Sequence, residues 1–203
     1  MKLYLICGKA RAGKDTFAKL IKQEEEKDNN KVCILKLTAP LYSWAEDYFN
    51  YDKEKDEKPR ELLQTLGYDI LQLKLKKKDF LLDYLITTIE VLDNYYEKDL
   101  LVTMLNEKTD KKYDSLKEIE NYYDVGLITD GRLVHEIEVL KEKYPNIKTI
   151  LLTNKQDNKL TNKEKNHQTE IDLDDYKDFD YIVENKDMES LKLETLKIVE
   201  DKR

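Results

Sequence analysis

The chain has 203 residues, of which 39% are charged and 40% hydrophobic, and its formal net charge is -7 at pH 7. This length fits one ample domain with a buried core. The acidic balance argues against a protein that coats nucleic acid, although it is compatible with a local basic pocket for a small phosphate compound. No stretch approaches the roughly 20 apolar residues that cross a bilayer, and the first residues lack the pattern of a signal peptide. We therefore expect a cytoplasmic protein with no membrane partner.

The first 37 residues predict a strand, a loop, a helix and a second strand. Residues 2–7 form a short apolar run that a glycine ends, and residues 15–27 show the apolar spacing of a helix. The apolar run at residues 31–37 is typical of a strand buried on both faces of a parallel sheet. Each predicted strand contains one of the two cysteines, and neither cysteine has a partner at metal-ligand spacing, so we expect packed thiols.

The middle of the chain is predicted to be helical. Residues 51–58 have the charged composition of a solvated loop, and Pro59 after them is well placed to begin a helix over residues 59–75. Residues 78–96 repeat apolar side chains at helical spacing over about five turns. Residues 97–123 are ambiguous, and we expect one or two short helices there.

Strand and helix patterns alternate again after residue 123, and a long polar stretch interrupts them. The polar stretch covers residues 154–178, and in a compact domain such a length favours a lid or a mobile loop. Strands that alternate with helices predict an α/β fold with a mainly parallel sheet of about five strands and helices on both faces. The elements predicted in this part are strands at 124–130, 147–153 and 179–185 and helices at 133–144 and 187–203.

A candidate phosphate-binding loop, here called the glycine loop (residues 8–13), lies between the first strand and the first helix. The sequence GKARAGKDT has glycines at both ends of this loop and a lysine where the helix starts. Backbone N–H groups, the helix N-terminus and the lysine charge would converge on one anion. A chance match is the alternative, but the position after a strand and before a helix favours a nucleotide site. The candidate ATP-binding residues are Gly8, Lys9, Ala10, Arg11, Ala12, Gly13, Lys14, Asp15 and Thr16.

Three residues are candidate Mg²⁺ ligands. Asp15 stands directly after the lysine, where a hydroxyl residue is usual, and the hydroxyl of Thr16 follows one position later. A carboxylate there could bind the metal directly, bind it through water or cap the helix, where the helix dipole stabilises its charge. Asp130 ends a predicted strand and could hold Mg²⁺ through water, with a solvent-exposed cap of the next turn as the alternative.

Three other polar side chains are candidate ligands of an acceptor phosphate or base. Arg132 lies two positions after Asp130 and could offset the repulsion between two phosphates, unless it only forms a surface salt bridge with Glu136. Arg60 and Gln64 are one helical turn apart and are expected to face the same way. From spacing alone, an ordinary solvated helix face explains that pair nearly as well.

Several ordered segments resemble the deoxynucleoside monophosphate kinases of phage type and their bacterial relatives, which are P-loop kinases. The glycine loop is similar to that family's loop, including the aspartate after the lysine, which is shared with animal-type phosphomevalonate kinases. The loop alone is generic, but five further matches in the right order are much more specific. The further segments are TAPLYSWAEDYF at 38–49, KPRELLQTLGYDIL at 58–71, LITDGRLVHEIEVLK at 127–141, NHQTEIDL at 166–173 and FDYIVEN at 179–185.

The resemblance implies a single domain with the three-layer P-loop NTPase fold. It implies a core at residues 1–39 and 124–203, a helical acceptor-binding insertion near 40–123 and a lid near 154–170. It further implies that ATP, with Mg²⁺, gives its γ-phosphoryl group to a nucleoside or deoxynucleoside monophosphate. The product would be the corresponding diphosphate.

The same resemblance implies roles for individual side chains. His167 and Glu170 order the lid or bind the acceptor, although a histidine in a polar loop is more often only exposed. Asn185, at the end of the last predicted strand, contacts adenine or simply ends the strand. The implied catalytic residues are Lys14, Asp130, Arg132 and Arg11, and the implied acceptor-binding residues are Arg60, Gln64, Arg132, Glu136, His167 and Glu170.

The lid is where the chain departs most from the family pattern. P-loop kinases generally place lid arginines on the transferring phosphoryl group, whereas residues 154–170 contain four lysines and no arginine. Arg11, within the glycine loop, could compensate in part. Two other functions therefore stay open: a P-loop kinase of another small metabolite, such as a phosphomevalonate-like compound, and a nucleotide-binding regulatory protein that transfers no phosphate. The sequence also leaves a homodimer open.

Overall fold

The computed structural model describes residues 1–94, 123–154 and 167–201 of the chain. The short helices predicted within 97–123 therefore lie outside the described residues, apart from residue 123 itself, and so does most of the predicted lid. No helix in the described ranges is long and apolar enough to cross a membrane.

Within the described residues, five strands form one sheet, as the alternating sequence pattern predicts. They are β1 Lys2–Cys7, β2 Val32–Lys36, β3 Val125–Gly131, β4 Lys148–Thr153 and β5 Tyr181–Glu184. The sheet order is β2-β3-β1-β4-β5, and every neighbouring pair is parallel. The predicted α/β fold with a five-stranded parallel sheet is therefore confirmed. Because all strands run the same way, the residues that follow their carboxyl ends meet at one edge of the sheet.

The last strand is shorter than the apolar run predicts. It begins at Tyr181 rather than at residue 179. The carboxylate of Asp180 accepts hydrogen bonds from both the backbone N–H and the hydroxyl of Thr149, each at 2.7 Å. A side chain thus takes the place of a backbone ladder bond at this end of β5.

Helices cover both faces of the sheet. Apolar side chains alternate along the central strand, so that Tyr4 and Ile6 pack on one face while Leu5 and Cys7 pack on the other. The helices are α1 Lys14–Lys27, α2 Ala39–Phe49, α3 Arg60–Gln64, α4 Phe80–Asn94, α5 Val134–Lys143, α6 Gln168–Ile171 and α7 Met188–Glu200. The first face is covered by α1 and α7, and the second by α2 to α5.

The helix predicted over residues 59–75 changes its geometry partway along. It begins as α3 and continues as a π-helix over Thr65–Lys74, which ends with a hydrogen bond from the backbone N–H of Leu75 to the carbonyl of Ile70 at 2.8 Å. Gly67 allows this segment to pack closely on α2, because an added Cβ would lie 2.7 Å from a methyl group of Leu41. π-Helical turns are rare and often occur at functional sites.

A buried glutamate stabilises the edge of the sheet opposite the strands' carboxyl ends. Glu25 of α1 is 2% exposed, and it accepts hydrogen bonds from Lys2 Nζ at 2.8 Å, Tyr4 Oη at 2.5 Å and Asn30 Nδ2 at 2.7 Å. Burial alone would raise the pKa of Glu25, but these hydrogen bonds outweigh it and hold the pKa below its ordinary value. The Glu25 carboxylate is therefore ionised at neutral pH and accepts hydrogen bonds within the fold.

Replacing Glu25 with glutamine is expected to lower the free energy of unfolding at pH 7 by about 1–3 kcal/mol, because buried donors lose a charged acceptor. A depressed folded-state pKa gives stability above the unfolded pKa, and this stability is lost as pH falls through the folded value. The difference between wild type and Glu25→Gln should therefore be smaller at pH 4 than at pH 7 in urea unfolding. Glu24→Gln, which removes only the surface pair with Lys27, is the matched control and should change stability by less than about 0.5 kcal/mol.

Candidate functional site

The glycine loop leaves β1 and turns sharply into α1. Gly8 and Gly13 have φ angles of +143° and +95°, which favour glycine. A Cβ at Gly8 would lie 2.3 Å from the carbonyl oxygen of Leu152, and one at Gly13 would lie 2.5 Å from Asn185 Nδ2. That same Nδ2 donates a hydrogen bond to the carbonyl of Ala12 at 2.9 Å. The loop is thus pressed against the ends of β4 and β5, with no room for larger residues at either glycine.

Lys14 begins α1 and turns its side chain back over the glycine loop. Its Nζ donates to the carbonyls of Gly8 at 2.6 Å and Lys9 at 2.9 Å, and the residue is only 7% exposed. Burial, followed by the nearby positive charge of Arg132, lowers the pKa of Lys14 to about 7. An anion bound in the loop would favour the charged form again. The glycine loop and Lys14 together form a cradle that favours a bound anion.

Asp130 lies beside this cradle, near the end of β3. It has a φ angle of 72°, which is uncommon for a residue other than glycine, and it is 5% exposed. Thr38 Oγ1 donates to its Oδ2 at 2.8 Å, and Lys58 Nζ lies 3.9 Å from its Oδ1. Burial opposes ionisation, but Lys58, the Thr38 hydrogen bond, Lys14 and Arg132 outweigh it, so the pKa of Asp130 is lowered. A buried, ionised carboxylate therefore stands at the carboxyl edge of the sheet.

Arg132 and Glu170 form an ion pair that touches the glycine loop. Arg132 Nη1 donates to Glu170 Oε1, and the backbone N–H of Ala10 donates to Glu170 Oε2 at 2.8 Å. Arg132 is 17% exposed and Glu170 is buried. The structure thus brings two sequence-predicted acceptor residues together and joins both to the loop predicted to bind ATP.

The Glu136 carboxylate accepts hydrogen bonds from the backbone at the start of α5. Its Oε2 accepts hydrogen bonds from the N–H groups of Arg132 at 2.8 Å and Leu133 at 3.0 Å. Burial raises the pKa of Glu136 to about 7. The salt bridge between the Arg132 and Glu136 side chains, weighed from the sequence, is replaced by a bond to the Arg132 backbone, and the arginine side chain points to Glu170 instead.

A cleft, here called the helical cleft, opens between the carboxyl edge of the sheet and the helices that follow β2. Arg60 and Gln64 both line it, as their one-turn spacing requires. Its polar lining also includes Thr38, Lys58, Gln72, Asp130, Arg132, Glu136, Thr169 and Glu170. Its apolar lining includes Leu37, Leu41, Leu63, Tyr68, Leu81 and Leu133. The cleft therefore combines an apolar wall with a group of cations near Asp130.

His167 caps the short helix α6 and borders the same region. Its Nδ1 accepts a hydrogen bond from the backbone N–H of Thr169 at 3.3 Å, and its ring lies 5.3 Å from the ring of Tyr68, measured between centroids. Gln64 Nε2 donates to Thr169 Oγ1 at 3.3 Å. These contacts join α6 to the wall that α3 and the π-helix form, and Glu170 of α6 lines the helical cleft.

A second and wider cleft, here called the loop cleft, opens on another side of the glycine loop. It has a volume of about 610 Å³, and residues 8–12, the end of β4 and residues 173–177 line it. This volume lies within the range of about 300–1,000 Å³ that is usual for small-molecule sites. Lys9 Nζ, at its rim, forms an ion pair with Asp174 at 2.6 Å. The glycine loop therefore borders a nucleotide-sized space, and its Ala10 N–H contacts Glu170, which lines the helical cleft.

The remaining predicted residues of the loop region are exposed. Asp15 and Thr16 lie in the first turn of α1, and Arg11 sits in the loop with a φ angle of 62°. Within the described residues, no group of three or more His, Cys, Asp or Glu side chains forms a preassembled metal site. The oxygens of Asp130 and Asp15 still suit Mg²⁺, because that ion commonly takes only one or two carboxylates and completes its shell with water and phosphate oxygens.

Sequence reasoning missed two residues that contact Asp130. Thr38 follows β2 and Lys58 precedes α3, so both are distant from Asp130 along the chain. Lys58 Nζ also lies 5.4 Å from the centre of the Tyr42 ring, a cation–π contact. Thr38 was open to prediction, since residues that follow neighbouring parallel strands meet at one edge. Lys58 gave no such signal, because a lysine in a charged stretch is ordinarily solvated.

A scan against protein-family models finds no match, and no curated protein matches the sequence. The function is therefore inferred from the side chains and their contacts, together with the motif resemblance.

Proposed function

We propose that this protein is a kinase of P-loop NTPase fold that transfers the γ-phosphoryl group of ATP, with Mg²⁺, to a nucleoside or deoxynucleoside monophosphate. The observation that carries the proposal is the hydrogen bond that joins the glycine loop, which lines the loop cleft, to Glu170, which lines the helical cleft. The loop cleft offers space for a nucleotide, and Lys58, Arg60 and Arg132 line the helical cleft together with Asp130. Phosphoryl transfer requires two anionic substrates to meet, so cations on both sides of the loop suit this reaction.

On the donor side, the glycine loop and Lys14 would bind the ATP phosphates. Backbone N–H groups at the start of α1 and the lysine ammonium favour negative charge at this point. Lys14 is held between two loop carbonyls, so its Nζ is already positioned before the nucleotide arrives. Asn185 supports the loop through the Ala12 carbonyl and would set its distance from the nucleotide. Arg11, exposed on the loop, is available to the terminal phosphates.

Asp130, with Asp15 or Thr16 of α1, would hold Mg²⁺, directly or through water. The ionised state of Asp130 and its position beside Lys14 support this assignment. Bound Mg²⁺ supplies charge that neutralises the phosphate oxygens of ATP. Thr38 orients Asp130 by donating to Oδ2, which leaves the Oδ1 atom facing Lys58 and the cleft.

On the acceptor side, Arg60, Lys58 and Arg132 would bind the monophosphate. An oxygen of the acceptor phosphate attacks the γ-phosphorus, and the bond from that phosphorus to the bridging oxygen of ADP breaks. No covalent enzyme intermediate is needed, because positioning and charge neutralisation are sufficient for this step. Gln64 can donate to a base or to the sugar, and the leucines of the cleft wall cover apolar surface. Lys58 supplies a cation in a protein whose lid segment has lysines but no arginine.

A kinase of another small phosphorylated metabolite is a second candidate, because the leucine-rich wall of the helical cleft does not by itself require a base. A regulatory protein that binds ATP without transfer is a third, since residues 154–170 lack arginine.

The deciding experiment incubates the protein with ATP, Mg²⁺ and each of a panel of monophosphates, and measures ADP and diphosphate products. We expect diphosphate from at least one nucleoside monophosphate. Turnover with non-nucleotide acceptors alone would support the second candidate, and tight ATP binding without turnover the third.

A further inference from the structure

Glu170 connects the donor side of the proposed site to the acceptor side. One carboxylate oxygen accepts the backbone N–H of Ala10 in the glycine loop, and the other accepts Nη1 of Arg132 at the helical cleft. Resting on the proposed function, we infer that Glu170 is a positioning residue that fixes Arg132 relative to the glycine loop. In this role it sets the distance between the two phosphates without binding either one.

The burial of Glu170 supports a fixed bridge rather than a ligand that reaches for substrate. The residue is 4% exposed, and each of its two oxygens already has a protein donor. A charged hydrogen bond to a guanidinium is stronger than a neutral one and directional as well. The carboxylate therefore restricts the rotation of the Arg132 guanidinium through its Nη1 atom.

Arg132 retains binding capacity while it is paired with Glu170. A guanidinium has five N–H donors in a planar arrangement, and the bond to Glu170 uses Nη1. The arginine is 17% exposed and lines the helical cleft together with Lys58 and Arg60. A phosphate in the cleft can thus be bound by one edge of the guanidinium while Glu170 holds another. Such an arrangement matters for transfer, because a displacement of about 1 Å can cost on the order of 10²-fold in rate.

A second possible role for Glu170, as a competitor of the nucleotide phosphate, predicts the opposite effect on ATP affinity. If the Glu170 carboxylate merely occupied a place that phosphate takes in the complex, it would compete with nucleotide, and its neutralisation would strengthen ATP binding. If it positions Arg132, neutralisation leaves ATP binding nearly unchanged and slows transfer. The two roles are therefore separated by the sign of the effect on ATP affinity and by its size relative to the effect on kcat.

The test compares wild type with Glu170→Gln. Glutamine keeps an oxygen that can accept the Ala10 N–H but loses the charge that holds Arg132. We expect kcat to fall by roughly 10–100-fold while the Kd of ATP changes by less than about threefold. A probe in which adenosine and a second nucleoside are joined by five phosphates spans both sides, and its affinity should fall by at least about tenfold. Lys14→Ala, in contrast, should weaken ATP and this probe alike.

Glu25→Gln is the matched control, because it also neutralises a buried, hydrogen-bonded carboxylate but lies at the opposite edge of the sheet. Its kcat and probe affinity should equal those of wild type at a temperature where both proteins are folded. A Glu170→Gln variant with unchanged kcat and probe affinity, or with tighter ATP binding, overturns the positioning role. Absence of turnover in wild type is a separate result, which overturns the proposed function itself.

Discussion

Replacement of Lys14 with alanine is expected to reduce phosphoryl transfer by at least about 10³-fold, which corresponds to roughly 4 kcal/mol of transition-state stabilisation. The ammonium lies between the carbonyls of Gly8 and Lys9, at the point where the glycine loop turns into α1. An alanine there would remove this cation and leave the ATP phosphates with the backbone N–H groups, Arg11 and Mg²⁺. Initial rates of ADP formation at saturating acceptor would measure the loss of phosphoryl transfer. Calorimetry would measure the loss of ATP affinity separately.

Lys19→Ala is the control for this prediction. Lys19 lies on the exposed side of the same helix, so the substitution changes the same residue type and the same net charge. Its turnover should remain within about twofold of wild type, as for surface substitutions in general. Normal activity of Lys14→Ala would contradict the assignment of the glycine loop as the ATP phosphate site.

Replacement of Asp130 with asparagine should lower kcat by roughly 10²-fold and shift the Mg²⁺ dependence to higher concentrations. The substitution keeps the size of the side chain and the hydrogen bond from Thr38, but it removes the negative charge that Lys58 and Lys14 surround. Activity would be measured as a function of Mg²⁺ at fixed ATP. Excess Mg²⁺ should restore part of the rate if metal affinity is the main loss.

Asp52→Asn, in the exposed loop after α2, provides the matched control. Its carboxylate pairs with Lys55 at the surface, so the same chemical change occurs away from both clefts. The Mg²⁺ dependence of this variant should superimpose on that of wild type. A wild-type-like Mg²⁺ curve for Asp130→Asn would exclude Asp130 as the metal-holding carboxylate.

The parallel sheet could be predicted because its strands bury both faces and therefore appear as short, continuous apolar runs. The position of Asp130 near Lys14 also followed from the sequence, since the strand that carries Asp130 is a parallel neighbour of the strand that leads into the glycine loop. The glycine loop could be predicted because its conformation needs a glycine at each end. Gly8 and Gly13 have positive φ angles and lie against β4 and Asn185. These are features that local sequence determines.

Individual side-chain contacts between distant loops and helices could not be predicted from the sequence. Glu170 meets Ala10 across 160 residues of chain, and no local pattern encodes that pair. The π-helix was also hidden, because its apolar residues fit the spacing of an ordinary α-helix, and only backbone hydrogen bonds such as that from Leu75 to Ile70, five residues apart, distinguish it. Glu136 shows a further ambiguity, since a glutamate in the first turn of a helix can bind a ligand or accept the N–H groups of that turn.

The central proposal is most directly tested by following the γ-phosphoryl group itself. ATP labelled at the γ-phosphate would be incubated with Mg²⁺, the protein and each nucleoside monophosphate, and the labelled products separated. We expect the label in the β-phosphate of a nucleoside diphosphate, in an amount equal to the ADP formed. Label that stays in ATP or appears only as inorganic phosphate, with every monophosphate, would contradict the proposed kinase function.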